Sequence, residues 1–97
     1  MKSKELFKGY IVSKDGIITK LDGTLVKTFK SNKYMQCCLF DTYGKKYVLG
    51  VHTVVSMFHD ESWYDGCVVH HKDGNTHNNH IDNLEVMPKG KHSSMHH

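Results

Sequence analysis

Four histidines and an asparagine in the last third of the chain are the residues best suited to do chemistry. His70 and His71 stand side by side after Val68-Val69, Asn83 follows twelve residues beyond His71, His92 nine residues later, and His96 four after that. Seven of the nine histidines lie between Val68 and His97, so imidazole is concentrated here rather than scattered. A neutral imidazole can ligate a divalent metal, and with an ordinary pKa of about 6.5 it can also take a proton near neutral pH. Neighbouring residues at a strand end point to opposite sides, which lets His70 and His71 divide two such tasks. His92 and His96, at i and i+4, share a face if that segment is helical, and one helix can then give two ligands to one metal.

Val69-His70-His71-Lys72-Asp73-Gly74-Asn75, followed by Asn83-Leu84 and His92, resembles the motif of the HNH nucleases, the His-Me finger or ββα-metal family, over roughly thirty residues. The upstream half is similar to phage-type HNH homing endonucleases. Lys8-Gly9-Tyr10-Ile11-Val12-Ser13 with Asp15-Gly16 resembles their opening hairpin, and Val51-His52-Thr53-Val54-Val55-Ser56-Met57-Phe58 resembles their pre-catalytic helix. The resemblance implies that His71 is a general base activating water for in-line attack on a phosphodiester, and that His70 is a metal ligand. It implies that Asn83 braces the loop, so that the backbone around it holds the base imidazole in one tautomer. His92 would be the ligand from the last helix, and His96 the additional helical histidine of the colicin-type enzymes. Double-stranded DNA is then the partner, one divalent cation the cofactor, and one strand is cut per site, leaving 5′-phosphate and 3′-hydroxyl ends. A monomer would nick; a double-strand break would need a homodimer or two encounters.

The chain departs from the phage enzymes in its ligands. They commonly carry Asp where this chain has His70 and Asn where it has His92, an oxygen set suited to Mg²⁺ or Mn²⁺. Imidazoles shift the preference towards Zn²⁺ and its neighbours, so the expected cation is Mg²⁺, Mn²⁺ or Zn²⁺. The alternative from another class is a non-catalytic, zinc-stabilised DNA-binding module, a closed site with no open coordination position. His71 argues against that reading, because a purely structural site does not need it. Asp73-Gly74-Asn75 reads as a tight turn in which Gly74 permits positive φ and Asp73 caps the turn rather than ligating. His77 and His80, in the same polar loop, are expected to face solvent. For His52 a surface or packing role is expected, with a supporting contact near DNA as the family alternative, and not a catalytic one.

The elements that must carry these residues are legible from turn chemistry and periodicity. Lys14-Asp15-Gly16 between Tyr10-Ile11-Val12 and Ile17-Ile18-Thr19 marks a hairpin, and Asp22-Gly23 marks a second turn before a strand over Thr24 to Phe29. Ser31-Asn32-Lys33 breaks the chain again. Asp41-Thr42-Tyr43-Gly44 separates the strand from Tyr34 to Phe40 from that over Lys46 to Leu49. Val51, Val54, Val55 and Phe58 fall at i, i+3, i+4 and i+7, the apolar face of a short helix. A strand ending at His70, a polar loop, a second strand over Leu84 to Met87 and a helix from Pro88 to His97 complete the pattern, since proline suits a first helical turn. The fold class is therefore α+β: an N-terminal antiparallel β-meander of four or five strands, a short helix and a C-terminal ββα motif. Residues 1–50 form the basic sheet region and 51–97 the helix plus nuclease motif, within one compact domain.

Charge is divided in the same place. Residues 1–50 carry ten lysines against four acids, a balance of +6, whereas residues 51–97 carry three lysines against six acids, a balance of −3. The front half is thus suited to a polyanion. Lys27, Lys30, Lys33, Lys45, Lys46 and Lys72 are the candidates for DNA contact, with Lys89 or Lys91 beside the metal. No arginine is present. Bidentate reading of guanine is most often done by arginine, so affinity should rest on salt-sensitive phosphate contacts. Cys37, Cys38 and Cys67 form no CxxC pair and leave an odd count, which argues against a disulfide framework. Cys37 and Cys38 should point one into the core and one outward. Trp63 and Tyr64 are expected as core or loop anchors. No apolar run approaches the roughly 18 residues that span a bilayer and no secretory signal opens the chain, so the expected location is cytoplasmic.

Overall fold

A computed structural model describes residues 3–88. His92, His96, Lys89, Lys91 and most of the expected final helix lie outside the described residues.

The first hairpin pairs β1 (Tyr10–Val12) with β2 (Ile18–Lys20), Val12 standing opposite Ile18. Ser13 organises the turn: its Oγ accepts from the backbone N–H groups of Asp15, at 3.2 Å, and Ile17, at 2.9 Å. Strand alternation sends Val12 and Ile18 into the core and leaves Ile11 exposed. The following segment bonds back onto β2, with Lys20 N–H donating to the Thr24 carbonyl and Val26 N–H to that of Ile18. That pairing delays the third strand to Thr28.

Three strands, β3 (Thr28–Ser31), β4 (Tyr34–Phe40) and β5 (Lys46–Gly50), form a second antiparallel sheet. Asn32 turns the chain between β3 and β4 with φ at 56°, a conformation its short polar side chain tolerates. Asp41 closes the β4–β5 turn by accepting from the N–H groups of Tyr43 and Lys45. The expected meander is thus five strands, divided between two sheets because residues 24–26 pair with β2 rather than with β4. Along β4, Cys37 and Leu39 point into the core, while Tyr34, Gln36, Cys38 and Phe40 share the opposite face. The two adjacent cysteines separate as their alternation requires.

Helix α1 (Val51–His59) starts at Gly50 without a side-chain cap and buries Val51, Val54, Val55, Ser56 and Met57. Its apolar stripe meets Phe7, Val12, Ile18, Leu39 and Leu84, so one core joins both halves of the sequence. Full burial of a valine is worth about 1.5–3 kcal/mol, and that burial holds in place a helix whose first turn has no cap. His59 Nε2 lies 2.6 Å from the Val12 carbonyl and ties the helix end to β1.

The last pair, β6 (Val68–His71) and β7 (Leu84–Met87), is antiparallel, with His71 opposite Leu84 and His70 opposite Glu85. The loop between them ends in a 3₁₀ turn over Ile81–Asn83 and is bonded to backbone carbonyls of the N-terminal half. Ile81 N–H donates to the Lys14 carbonyl at 2.8 Å, and Thr76 Oγ donates to that of Lys33. No helix among the described residues is long and apolar enough to cross a membrane.

Candidate functional site

Alternation at the end of β6 gives the two adjacent histidines opposite environments. His70 is exposed, whereas His71 is 5% exposed and turned inward. The His71 Nε2–H donates to Asn79 Oδ1 at 2.9 Å in a buried bond, which leaves Nδ1 as the ring nitrogen with the free lone pair. Asn79, itself 7% exposed, is backed by the first hairpin. Gly16 turns there with φ at 93°, and a Cβ on it would stand 3.3 Å from Asn79 Cβ and 3.2 Å from Val51 Cγ1. The glycine thus serves a positive φ and a close approach together.

Asn83 lies one step further from the ring. Its Oδ1 accepts from Asp73 N–H at 3.1 Å, and its Nδ2 donates to Asp73 Oδ1 and to the Asn78 carbonyl, both at 2.9 Å. The Asn83 carbonyl accepts from Lys72 N–H at 2.7 Å, so the residue straps both ends of the loop together. Asp73 also accepts from Asn78 Nδ2 and from Asn75 N–H. These hydrogen bonds, that from Asn78 foremost, hold its carboxyl below the ordinary carboxylate range. Gly74 has φ at 76° in the turn. Asn83 therefore contacts the loop, and Asn79 contacts the imidazole. The sequence signal for Asn79 is the Asn78-Asn79 pair in a polar loop, but the pattern alone does not say which amide turns inward.

Two more rings complete the surroundings of His71. The His52 imidazole lies 4.8 Å from it, centroid to centroid, and the Tyr34 ring lies 6.1 Å from it and stacked at 28°. Tyr34 and His52 are 5.3 Å apart. His52 Nδ1 is buried with no hydrogen-bond partner. Burial pushes the His52 pKa down to about 4, with the neighbouring His71 adding to the effect.

The remaining candidates are distributed unevenly. Lys33 and Lys72 sit at the loop beside His71, through the Thr76 bond and the Asn83 bond described above. Lys46 shares the outer face of the sheet with Tyr34, Gln36 and Phe40, whereas Lys30 lies on the other face. Lys27 precedes β3 and lines an open groove beside Phe29 and Phe40. Lys45 stands at the far end of β4, about 20 Å away by ordinary strand rise, with its Nζ 5.3 Å from the Tyr47 ring centroid. His77 is exposed, but His80 is engaged: its Nδ1 accepts from Asp82 N–H at 3.1 Å and its Nε2 faces Asp15 Oδ1 at 3.3 Å. It therefore helps fasten the first hairpin to the loop.

Of the three expected metal ligands, His70 alone falls among the described residues, and no group of three or more His, Cys, Asp or Glu there is arranged to hold a metal. His70 and the exposed Glu85 opposite it offer nitrogen and oxygen donors on one face of the β6–β7 pair, beside His71. That donor chemistry fits a divalent cation of the Mn²⁺ or Zn²⁺ type.

Residues 49–94 match a family model described as HNH endonuclease. Among solved structures the chain is similar to the HNH homing endonuclease I-HmuI, from a study of its DNA binding and cleavage. The TM-score is 0.77 with 29% identity, over 98% of this chain and 55% of that one. The chain thus spans about half the length of that protein. No curated protein matches the chain at a significant level.

Proposed function

Residues 49–94 belong to the HNH endonuclease family, and on that premise we propose that the protein is a metal-dependent DNA endonuclease that nicks one strand per site with His71 as general base. The observation that carries this reading is the buried bond from His71 Nε2–H to Asn79 Oδ1. It selects the tautomer whose Nδ1 can accept a proton, and it anchors the ring at its other nitrogen. A base held in this way takes the proton from water as the oxygen attacks phosphorus in line with the departing 3′ oxygen. General base assistance of this kind contributes about 10²–10⁴-fold. A divalent cation held by His70 with His92 and His96 would supply charge stabilisation at the scissile phosphate and at the leaving oxygen.

Asn83 acts on the loop rather than on the reacting atoms: by fixing Asp73 and Asn78 it sets the path of the chain that presents Asn79. Double-stranded DNA is the substrate this reading favours. I-HmuI, the homing endonuclease it resembles, binds and cleaves DNA, and the front half of the present chain carries the positive balance a phosphate backbone requires. Lys33 and Lys72, whose backbones bond the loop that follows His71, are the first candidates for phosphates flanking the cut.

The test is a supercoiled-plasmid assay on metal-stripped protein reconstituted separately with Mg²⁺, Mn²⁺ and Zn²⁺. Open-circle product should require the metal and disappear in His71→Ala, while that variant keeps its affinity for the plasmid. Binding without nicking under every metal would replace this reading with the zinc-stabilised DNA-binding module.

A further inference from the structure

We propose that His52 is a positioning residue for the base: its imidazole, wedged between the Gly50 backbone and the His71 ring, sets the plane in which His71 meets water. The inference rests on the reading of His71 as general base.

The Asn79 bond fixes one nitrogen of His71, but a single hydrogen bond leaves the ring free to tilt about that contact. Two rings limit the tilt, Tyr34 stacked on it and His52 inclined at 50° with centroids 4.8 Å apart. His52 is the better held of the two. A Cβ built on Gly50 would lie 2.6 Å from His52 Cε1 and 2.9 Å from Nδ1, distances real Cβ atoms do not show. Gly50 has φ at −66°, so the backbone would accept alanine, and the contact with the His52 ring is what such a side chain would violate. The imidazole thus occupies the space of the missing side chain.

The chemistry of the ring supports the same role. His52 Nδ1 is buried and makes no hydrogen bond, so no bonding role offsets its desolvation. A neutral ring is compatible with close packing on a second imidazole, whereas two charged ones would repel. Position also matters: His52 is in the first turn of α1, whose next residues are anchored in the core, so the ring rides on a rigid element. Tyr34 on its other side belongs to β4 and adjoins Lys33, whose carbonyl is bonded by Thr76 of the loop.

Three variants separate positioning from chemistry and from folding. His52→Ala should lower kcat by on the order of 10²-fold with KM nearly unchanged, since a misplacement near 1 Å can cost that much. His52→Phe keeps a flat ring without nitrogens and should recover activity to within about tenfold of the wild type. Gly50→Ala leaves His52 in place chemically but forces its ring to move, and should fall with His52→Ala. Imidazole ¹H–¹⁵N spectra of His71 give a readout that needs no cleavage: one Nε2–H tautomer, held by Asn79, in every variant, its resonance sharp in the wild type and His52→Phe and broadened by ring tilting in His52→Ala and Gly50→Ala. Wild-type kcat in a folded Gly50→Ala, or a His52→Phe as inactive as His52→Ala, overturns the proposal. Absence of nicking in the wild type, with the His71 resonance still sharpened by His52, would instead remove the nuclease reading and leave the positioning contact standing.

Discussion

A buried imidazole with one nitrogen committed and one available is defined by its partners, and at the residue scale those partners make separable demands. Asn79 supplies the acceptor for His71 Nε2–H. Asn79→Ala would leave that N–H buried and unpaired, costing about 1–3 kcal/mol of stability, and would also release the tautomer. We expect nicking to fall by on the order of 10²-fold while plasmid affinity holds, measured by single-turnover cleavage beside a filter-binding titration. His52 makes a different demand, that it stay neutral. Its pKa is held down to about 4 in the fold by burial first and by His71 second, whereas the unfolded chain binds that proton near the ordinary value of about 6.5. Between those values the unfolded state holds more protons. The stability His52 permits is therefore complete above about pH 6.5 and is lost as the pH falls towards about 4. Urea midpoints of metal-free protein across that window should decline more steeply in the wild type than in His52→Phe, and equal slopes would refute the assignment.

At the scale of elements, the site is a loop clamped between two sheets, and the clamps are glycine and amide contacts. Gly16 lets the first hairpin approach Asn79 and Val51, so Gly16→Ala meets both a positive φ and a crowded neighbour. Destabilisation of about 1–3 kcal/mol is expected, with a loss of activity larger than the unfolded fraction explains, read by comparing melting curves with nicking rates. Asn83→Ala removes three side-chain bonds to the loop and should loosen residues 73–78 first, visible as faster amide exchange there than in α1. How much of this was legible in the sequence follows from the range of each contact. The hairpin turns, the α1 stripe and the opposite exposures of Cys37 and Cys38 depend on neighbours within a few residues, and turn chemistry and periodicity report them. The division of the strands into two sheets depends on where residues 24–26 find their partners. Asn79, His52 and Tyr34 gather around His71 only after β4, α1 and the loop have packed, and no spacing rule spans those separations. His52 is the instructive case: its helical position was readable as packing, but not the ring on which it packs.

For the whole molecule the question is how a chain without arginine would hold the DNA proposed as its substrate. The described residues extend 45 × 27 × 22 Å, a long axis that could lie along roughly a dozen base pairs at about 3.4 Å each. Lysine meets phosphate as a point charge, so binding should follow counterion release, with a slope of log K against log salt near −0.9 for each phosphate neutralised. Position decides which lysines count. Lys72 opens the loop that follows His71 and Lys33 accepts from that loop's Thr76 through its carbonyl, and Lys33→Gln and Lys72→Gln should each flatten the slope by about one unit without changing preference among duplex sequences. Lys45 stands at the opposite end of β4 with its ammonium over Tyr47, and Lys45→Gln should leave the slope close to that of the wild type. The measurement is fluorescence anisotropy with a labelled duplex at several NaCl concentrations, in the His71→Ala background so that no strand is cut. A slope unmoved by Lys33→Gln and Lys72→Gln but flattened by Lys45→Gln would place the duplex at the far end of the sheet. A cut beside His71 would then require the DNA to run the length of β4 to reach it.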